Sequence, residues 1–264
     1  MPQEKRLLVD VGMKKMPFPM KVTSHAYPEG QFTVGDISIN ARITSEFEAR
    51  WIDKFIQIIH KHRDRIGTKN LRDNILDYMN ELKAASVRIN YDYPIFVEKL
   101  TPVSKEKCLM RYLCTYSAKI SSTDETPKVV FKIDIPAITT DPASASDKAG
   151  GLFGQLSMVS LEVNAPNDIF PEDLVDIVDK HSLSPVYSFL TAEDQLHIIQ
   201  KVHREKKSSV VMTDEIKEEL ARRPEIDWFS AHCFNFSMLH SFSTMVGIEK
   251  GMWVPFTGYD SDEI

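Results

Sequence analysis

The sequence predicts an α+β protein built on antiparallel β-sheet. Segments of alternating apolar and polar residues, the pattern of half-buried strands, come in pairs that are separated by turn residues. Segments with helical spacing stand between these pairs rather than after every strand. Strict β-α alternation is therefore missing, and a doubly wound parallel sheet is disfavoured.

The first half of the chain contains a hairpin, two helices and a second pair of strands. Tyr27-Pro28-Glu29-Gly30 supplies the turn of the first hairpin, and Gly67 separates the two helices. We predict strands over residues 18–24 and 32–43, helices over 51–65 and 71–84, and strands over 86–97 and 108–120.

The second half repeats this order with more helices. Residues 139–154 are mostly small or turn-forming, which predicts a long loop, and loops of this length usually carry function or disorder. We predict strands over residues 128–137 and 157–164, helices over 171–181, 192–206 and 213–222, and a last strand over 226–239.

Composition narrows the class of function. The chain has 264 residues, of which 42% are hydrophobic, and 38 Asp and Glu outnumber 32 Lys and Arg for a net charge of −6. This composition argues against intrinsic disorder, and the acidity is a poor match to a nucleic-acid-binding surface. No apolar run approaches the ~18 residues of a membrane-spanning helix, and the charged start lacks a signal-peptide core. We expect a cytoplasmic protein whose partners include neither nucleic acid nor membrane.

Spacing alone reveals no catalytic constellation. The three cysteines are an odd number, and Cys108 and Cys114 lie too far apart on one predicted strand for a disulfide or a shared metal ion. The eight histidines show no metal-binding pair, and neither His-Glu-x-x-His nor Cys-x-x-Cys occurs.

Several stretches resemble, in order and over nearly the whole chain, motifs of the type IB GTP cyclohydrolase family, a branch of the tunnelling-fold (T-fold) enzymes. Residues 11–19 are similar to the family's Val-Gly-Ile-x-x-Leu-x-Tyr-Pro, and residues 93–99 with 102–104 are similar to Phe-Pro-Tyr-Phe-x-x-Lys with Pro-Val-Ser. Residues 186–190 with Asp194 resemble Leu-Tyr-Gly-Leu-Leu with its later Asp. Asn235-Phe236 and His240 resemble Asn-Phe-Glu-Ser-Ile-His.

The resemblance implies tandem T-fold units that assemble into an oligomeric barrel. The chain would be a single bimodular protein, with a first unit over about residues 1–120 and a second over about 121–264. It would act as a homodimer or homotetramer, because T-fold sheets join edge to edge, and its pocket for a small heterocycle would lie between subunits.

The residues that differ from the family motifs are those at the family's metal-binding and substrate-binding positions. Counted without gaps back from Ser146-Asp147, the family's Cys-Pro-Cys-Ser, which supplies a metal-binding thiolate, falls on Thr139 to Pro142. Its His-Asn-Gln-Arg falls on residues 151–154, and its Glu in Cys-Glu-Leu-Tyr becomes Pro185. Its substrate-anchoring Glu becomes Ser237. Thr, Gly and Pro cannot replace zinc ligands, so we expect no zinc and no other cofactor.

Three functions are open at this point. In the first, a T-fold protein binds or acts on a purine-like or pterin-like heterocycle without the family's zinc. The second is a non-catalytic relative that acts through ligand binding or assembly, and the third is a conventional zinc GTP cyclohydrolase. For the first, the candidate catalytic residues are His240 and Asp141, and the candidate substrate-binding residues are Ser237, Asn235, Thr139 and Ser184.

His240 has an equally weighted structural alternative, a hydrogen-bonded histidine without a role in catalysis. Ser237 and His240 are three residues apart, so in a regular strand they face opposite sides. We expect Ser237 on the pocket side, together with Asn235. His240 would reach the pocket only beyond the end of the regular strand, where Ser241 and Ser243 suggest a turn.

Overall fold

A single antiparallel sheet runs through the computed structural model, which describes residues 8–44, 51–62, 66–147 and 150–251. Within these residues the strand order is β1-β2-β3-β4-β5-β6-β8-β9, and the short β7 pairs with β5. The α+β class with antiparallel sheet is confirmed. The strands are β1 Leu8–Val22, β2 Gln31–Thr44, β3 Ser86–Leu100, β4 Lys107–Ser121, β5 Lys128–Thr140, β6 Gly154–Asn164, β7 Ser184–Pro185, β8 Trp228–Phe236 and β9 Thr244–Glu249.

The helices follow the predicted order. Two of them connect β2 to β3, and three lie between β6 and β8, so the sequence hairpin, helices, hairpin occurs twice. The helices are α1 Trp51–Lys61, α2 Thr68–Leu82, α3 Pro171–His181, α4 Ala192–Arg204 and α5 Ser209–Ala221. Residues 63–65, the predicted end of the first helix, lie outside the described residues.

Period-two patterning builds the core. In β3 the side chains of Val87, Ile89, Tyr91, Tyr93 and Ile95 are all buried, whereas the residues between them face the other side of the sheet. The buried side chains join those of α1, α2, α3 and α5 in one apolar cluster. Burial of each aliphatic or aromatic side chain contributes roughly 1.5–3 kcal/mol, so this one face holds the fold together. No helix in the described part of the chain is long and apolar enough to cross a membrane.

The first strand is longer than predicted because a β-bulge interrupts its alternation. The register of β1 against β2 shifts between Met13 and Met16, and Lys15 has a φ of 51°. Before the bulge the odd-numbered residues face the core, and after it the even-numbered ones do. Because the extra residue at the bulge reverses the alternation, one continuous strand reads in the sequence as two short alternating segments. The predicted turn is confirmed, since Gly30 N donates to Tyr27 O at 2.9 Å and Gly30 has a φ of 83°.

The C-terminal end predicted for the last strand is wrong. Residues 226–239 were expected to form one strand, but β8 ends at Phe236 and a connection leads into β9, which was not predicted. Ser237 Oγ accepts a hydrogen bond from Leu239 N at 3.2 Å, which turns the chain away from the sheet. Apolar residues continue through the connection, and this continuity is why the sequence predicted a longer strand.

Candidate functional site

Four polar side chains form a buried row across the end of the sheet. Thr139 on β5, Ser157 on β6 and Asn235 on β8 occupy neighbouring positions on the helix-covered face, and Ser209 begins α5 above them. We call these four residues the buried polar row. Two of them, Thr139 and Asn235, were predicted as substrate-binding residues, and the structure places both in one hydrogen-bonded group.

Hydrogen bonds link each member of the buried polar row to the next. Thr139 Oγ1 and Ser157 Oγ are 2.8 Å apart, and Ser157 Oγ donates to Asn235 Oδ1 at 2.8 Å. Asn235 Nδ2 donates to Ser209 Oγ at 3.1 Å, and Gln155 Nε2 donates to Thr139 Oγ1 at 3.2 Å. Since Ser157 uses its proton on Asn235, Thr139 donates to Ser157. The row is therefore satisfied internally, and its first effect is to fasten β5, β6, β8 and α5 to one another.

Asp141 lies just beyond the end of β5, where the loop over residues 141–153 begins. We call the base of this loop, where Asp141 and Phe153 meet, the loop neck. Its side chain is buried, and its Oδ1 accepts from Ala143 N at 2.8 Å. Its backbone carbonyl accepts from Ser144 Oγ at 2.7 Å, and Asp141 N donates to Phe153 O at 3.0 Å, which closes the neck. The other carboxylate oxygen, Oδ2, is buried and has no hydrogen-bond partner among the described residues. Asp141 thus combines a structural role with one unused acceptor.

A small apolar cavity opens next to Ser184. In β7, Ser184 pairs with Ile138 and Pro185 pairs with Ala137, so this short strand lies beside the end of β5, next to Thr139 and Thr140. Ser184 is buried, and its hydroxyl donates to Pro185 O at 3.0 Å. The cavity has a volume of about 230 Å³ and is lined by Ile138, Pro185, Val186, Tyr187, Leu190, Gln195, Ile198 and Ile199. Such walls suit the faces of a ring rather than a charged group.

Ser237 and His240 lie in the connection between β8 and β9. His240 is exposed, and its ring stacks on that of Phe242 with 4.9 Å between centroids. It lies beyond the regular strand, as predicted. Ser237 lies beyond it as well, and so does not share a strand face with the buried Asn235. No hydrogen bond joins His240 to Asp141 in the part of the chain that the structure describes. The roles assigned to the six candidate residues stay predictions.

The donor set of the described residues is unlike that of a metal centre. No group of three or more His, Cys, Asp or Glu side chains lies close enough together there to hold a metal ion. All three cysteines are buried with free thiols. Burial raises the pKa of the Cys233 thiol to about 11, so this thiol, which lies nearest to the buried polar row, is protonated at neutral pH.

A second group of polar residues near the cavity was not predicted. Lys99 Nζ lies 2.5 Å from Asp179 Oδ2, and Lys99 is also within 5.5 Å of the ring centre of Tyr112 and 6.0 Å of that of Tyr187. We call these four residues the lysine cluster. The sequence held one signal for it, because residue 99 continues the inward-facing positions of β3, where a lysine side chain is unusual.

Comparison with known proteins identifies the family. Residues 2–245 match the family model described as type I GTP cyclohydrolase folE2. The GTP cyclohydrolase FolE2 of Geobacter sp. (strain M21) is 30% identical over 241 residues, 91% of this chain and 88% of that protein. The protein of the same name from Geotalea uraniireducens is 29% identical over 240 residues, 91% of this chain and 87% of that protein.

Solved structures share the fold at much lower identity. Uricase from Arthrobacter globiformis superimposes with a TM-score of 0.55 at 10% identity and covers 95% of this chain and 96% of its own. Uricase from Bacillus fastidious gives a TM-score of 0.53 at 11% identity, with 93% of each chain covered. These proteins have a tunnelling fold, and the match confirms this architecture. On the strength of the family model and the curated relatives, the chain belongs to the type I GTP cyclohydrolase FolE2 family.

Proposed function

We propose that this protein binds GTP, or a pterin of the kind formed from it, at the end of the sheet where β5, β6, β7 and β8 meet. The observation that carries the proposal is the family match over residues 2–245, whose members are named for GTP. The cavity supports it, since its apolar walls can enclose a flat ring. Of the predicted residues, Ser184 lies beside the cavity on β7, whereas Thr139 and Asn235 belong to the buried polar row at the same end of the sheet. The unused oxygen of Asp141 lies in the loop neck that follows β5.

A two-residue shift improves the match of the long loop to the family motifs. If Cys-Pro-Cys-Ser falls on residues 141–144 instead of 139–142, Pro142 and Ser144 become identical to it. The same shift places His-Asn-Gln-Arg on residues 153–156 and makes Gln155 identical. Ser144 and Gln155 are the residues whose side chains bind the loop neck and Thr139, so the shared residues are those that shape the loop. We therefore prefer this register to the gap-free count.

In this register Asp141 and Ala143 take the cysteine positions, and Phe153 takes that of the histidine. Pro185 still stands where the family has its glutamate. One carboxylate cannot provide the thiolate, imidazole and carboxylate set of a catalytic zinc ion. We therefore propose that the protein binds its heterocycle without the family's zinc centre.

Zinc-dependent opening of the GTP purine ring is the second candidate, because the curated relatives carry the name GTP cyclohydrolase over about nine-tenths of this chain. Calorimetric titration of the full chain with GTP and with neopterin, metal analysis of the same sample, and a formate-release assay with and without added zinc separate the two. Our proposal expects binding, less than one tightly bound zinc ion per chain and no formate. Formate release that needs zinc would establish the second candidate. No binding of either ligand and no formate would contradict both.

We also propose that the chain consists of two hairpin-helix-hairpin units, over about residues 1–120 and 121–264. Copies of this chain assemble into a homodimer or homotetramer. The face of the sheet opposite α1, α2, α3 and α5 exposes apolar side chains that a monomer would leave in water, among them Leu109, Leu113, Leu156, Phe236 and Met245. In the described residues β1 and β9 are the outer strands of the sheet, where another chain can add its own strands. Light scattering after size exclusion at micromolar concentration should show a multimer, and a monomeric mass would contradict the proposal.

A further inference from the structure

Strands β4 and β5 separate next to the cavity, and the lysine cluster lies where they separate. β3 and β4 stay paired as far as Leu100 and Lys107, but the pairing of β4 with β5 stops at Leu113 and Asp134. Beyond that point β5 pairs with β7 instead. Lys99 and Tyr112 come from the β3–β4 side of the separation, and Tyr187 follows β7 on the other side. Asp179, from the end of α3, lies between them against Lys99.

The cluster is buried but incompletely hydrogen-bonded. The side chain of Lys99 is 8% exposed and that of Asp179 is 17% exposed, and Tyr112 is 1% exposed. The hydroxyl of Tyr112 and the Oδ1 atom of Asp179 are buried without a hydrogen-bond partner among the described residues. Lys99 has three N–H donors, and Asp179 is the one acceptor the described residues bring to it. Buried groups without partners are costly and therefore rare, so two such atoms beside a lysine with unused donors mark this cluster as a candidate binding site.

Charge and burial support the same conclusion. Burial raises the pKa of the Asp179 carboxyl, and the nearby Lys99 offsets only part of this effect. Burial likewise raises the pKa of the Tyr112 hydroxyl, which Asp179 reinforces. Tyr112 therefore keeps its hydroxyl proton as a donor, and the unpartnered Oδ1 atom of Asp179 lies in the same cluster. A second carboxyl, the exposed Asp176, lies one turn earlier on α3, and its pKa is also raised, by burial first and then by the nearby Asp173.

We propose that the lysine cluster binds the lactam edge of the ligand's ring, the carbonyl and adjacent N–H that guanine and pterins share. The ring carbonyl accepts from Lys99 and Tyr112, and the ring N–H donates to Asp179. Tyr187 belongs both to the cluster and to the cavity wall, so it is the residue past which a ring in the cavity reaches the other three members, which do not line the cavity themselves. The cavity of about 230 Å³ is below the roughly 300–1,000 Å³ of whole-ligand sites, so it suits the ring and leaves a phosphate chain outside. This inference rests on the proposed function, because it names how that ligand is held.

Calorimetry with GTP and ATP tests it, because adenine carries an amino group and an unprotonated nitrogen in place of the lactam. The full chain is compared with Tyr112→Phe and Asp179→Asn, after circular dichroism has shown that each variant is folded. Tyr91→Phe is the matched control, since Tyr91 is also a buried strand tyrosine but its hydroxyl already accepts from Asn74 Nδ2 at 2.8 Å. We expect GTP to bind at least tenfold tighter than ATP, and Tyr112→Phe and Asp179→Asn to lose about tenfold or more in GTP affinity. Tyr91→Phe should keep it.

The outcomes separate this inference from the proposed function. GTP binding that is equal in the wild type, Tyr112→Phe and Asp179→Asn overturns the assignment of the lysine cluster and leaves the proposed function standing. Equal binding of GTP and ATP also overturns the assignment. If neither GTP nor neopterin binds the wild type, the proposed function fails and this inference fails with it.

Discussion

The buried polar row and the lysine cluster lie at the same end of the molecule and differ in one respect. In the row, each hydroxyl and amide of Thr139, Ser157, Asn235 and Ser209 has a partner within the protein. In the cluster, the hydroxyl of Tyr112 and one oxygen of Asp179 have none among the described residues. A satisfied network stabilises the free chain and has little left to offer a ligand. An unsatisfied one costs stability in the free chain and gains when a ligand arrives.

Asp194 is the extreme case of a satisfied group, and its loss should have the largest effect on stability. Its carboxylate accepts from Val103 N, from Ser104 N and Oγ, and from Thr191 N and Oγ1, so it joins the loop after β3 to the start of α4. Asp194→Ala should lower the melting temperature at pH 7 by several degrees. Glu193→Ala, a neighbouring exposed residue, is the control and should change it little.

The effect of Asp194 should also depend on pH. Its hydrogen bonds, first those of Ser104, hold the pKa of the Asp194 carboxyl well below its usual range although burial opposes them. A carboxyl whose pKa is lowered by folding stabilises the protein above its unfolded pKa of about 4, and this contribution is lost as the pH falls below that value. The difference in melting temperature between wild type and Asp194→Ala should therefore shrink as the pH falls from 5 toward 2. A difference that stays constant over that range would contradict the assigned role.

Within the buried polar row, Ser157 should matter most because it is bonded on both sides. Ser157→Ala leaves the side-chain oxygen of Asn235 without its strong donor and takes the acceptor from Thr139. An unsatisfied buried group costs about 1–3 kcal/mol, and urea unfolding should show a loss of this size. Ser160→Ala is the control, since Ser160 lies on the same strand but points to the other face. Equal losses in the two variants would mean that the row does not stabilise the sheet.

The end of the row should be less sensitive than its middle. Ser209→Ala removes one hydrogen bond from Asn235 Nδ2, which keeps a longer contact of 3.5 Å to Thr244 Oγ1. A single hydrogen bond contributes about 0.5–1.5 kcal/mol, so Ser209→Ala should cost less than Ser157→Ala in the same urea experiment. A reversed order would show that the start of α5, rather than the row, is what Ser209 stabilises.

The sequence predicts the secondary structure of these regions better than it predicts which of their side chains meet, and the reason is physical. Local patterns predict most helices and strands, because period-two and helical spacing depend on neighbours in the chain. The contact of Thr139 with Asn235 through Ser157 joins three strands far apart in sequence, and no local pattern reports which partners meet. Tyr112 and Asp179 were missed for the same reason, whereas Lys99 could have been found from its inward position on β3. The turn at Ser237 was missed because its hydroxyl bonds a backbone N–H two residues away, which a run of apolar neighbours conceals.

The most direct test of the comparison is the melting temperature of Tyr112→Phe against that of the wild type, measured without and with saturating GTP. Removing an unpartnered hydroxyl should leave the free protein as stable as the wild type or slightly more stable. GTP that binds the folded state should raise the melting temperature of the wild type, and should raise that of Tyr112→Phe distinctly less. A free Tyr112→Phe protein that melts well below the wild type, or an equal rise with GTP in both proteins, would contradict the claim that this cluster is kept for a ligand.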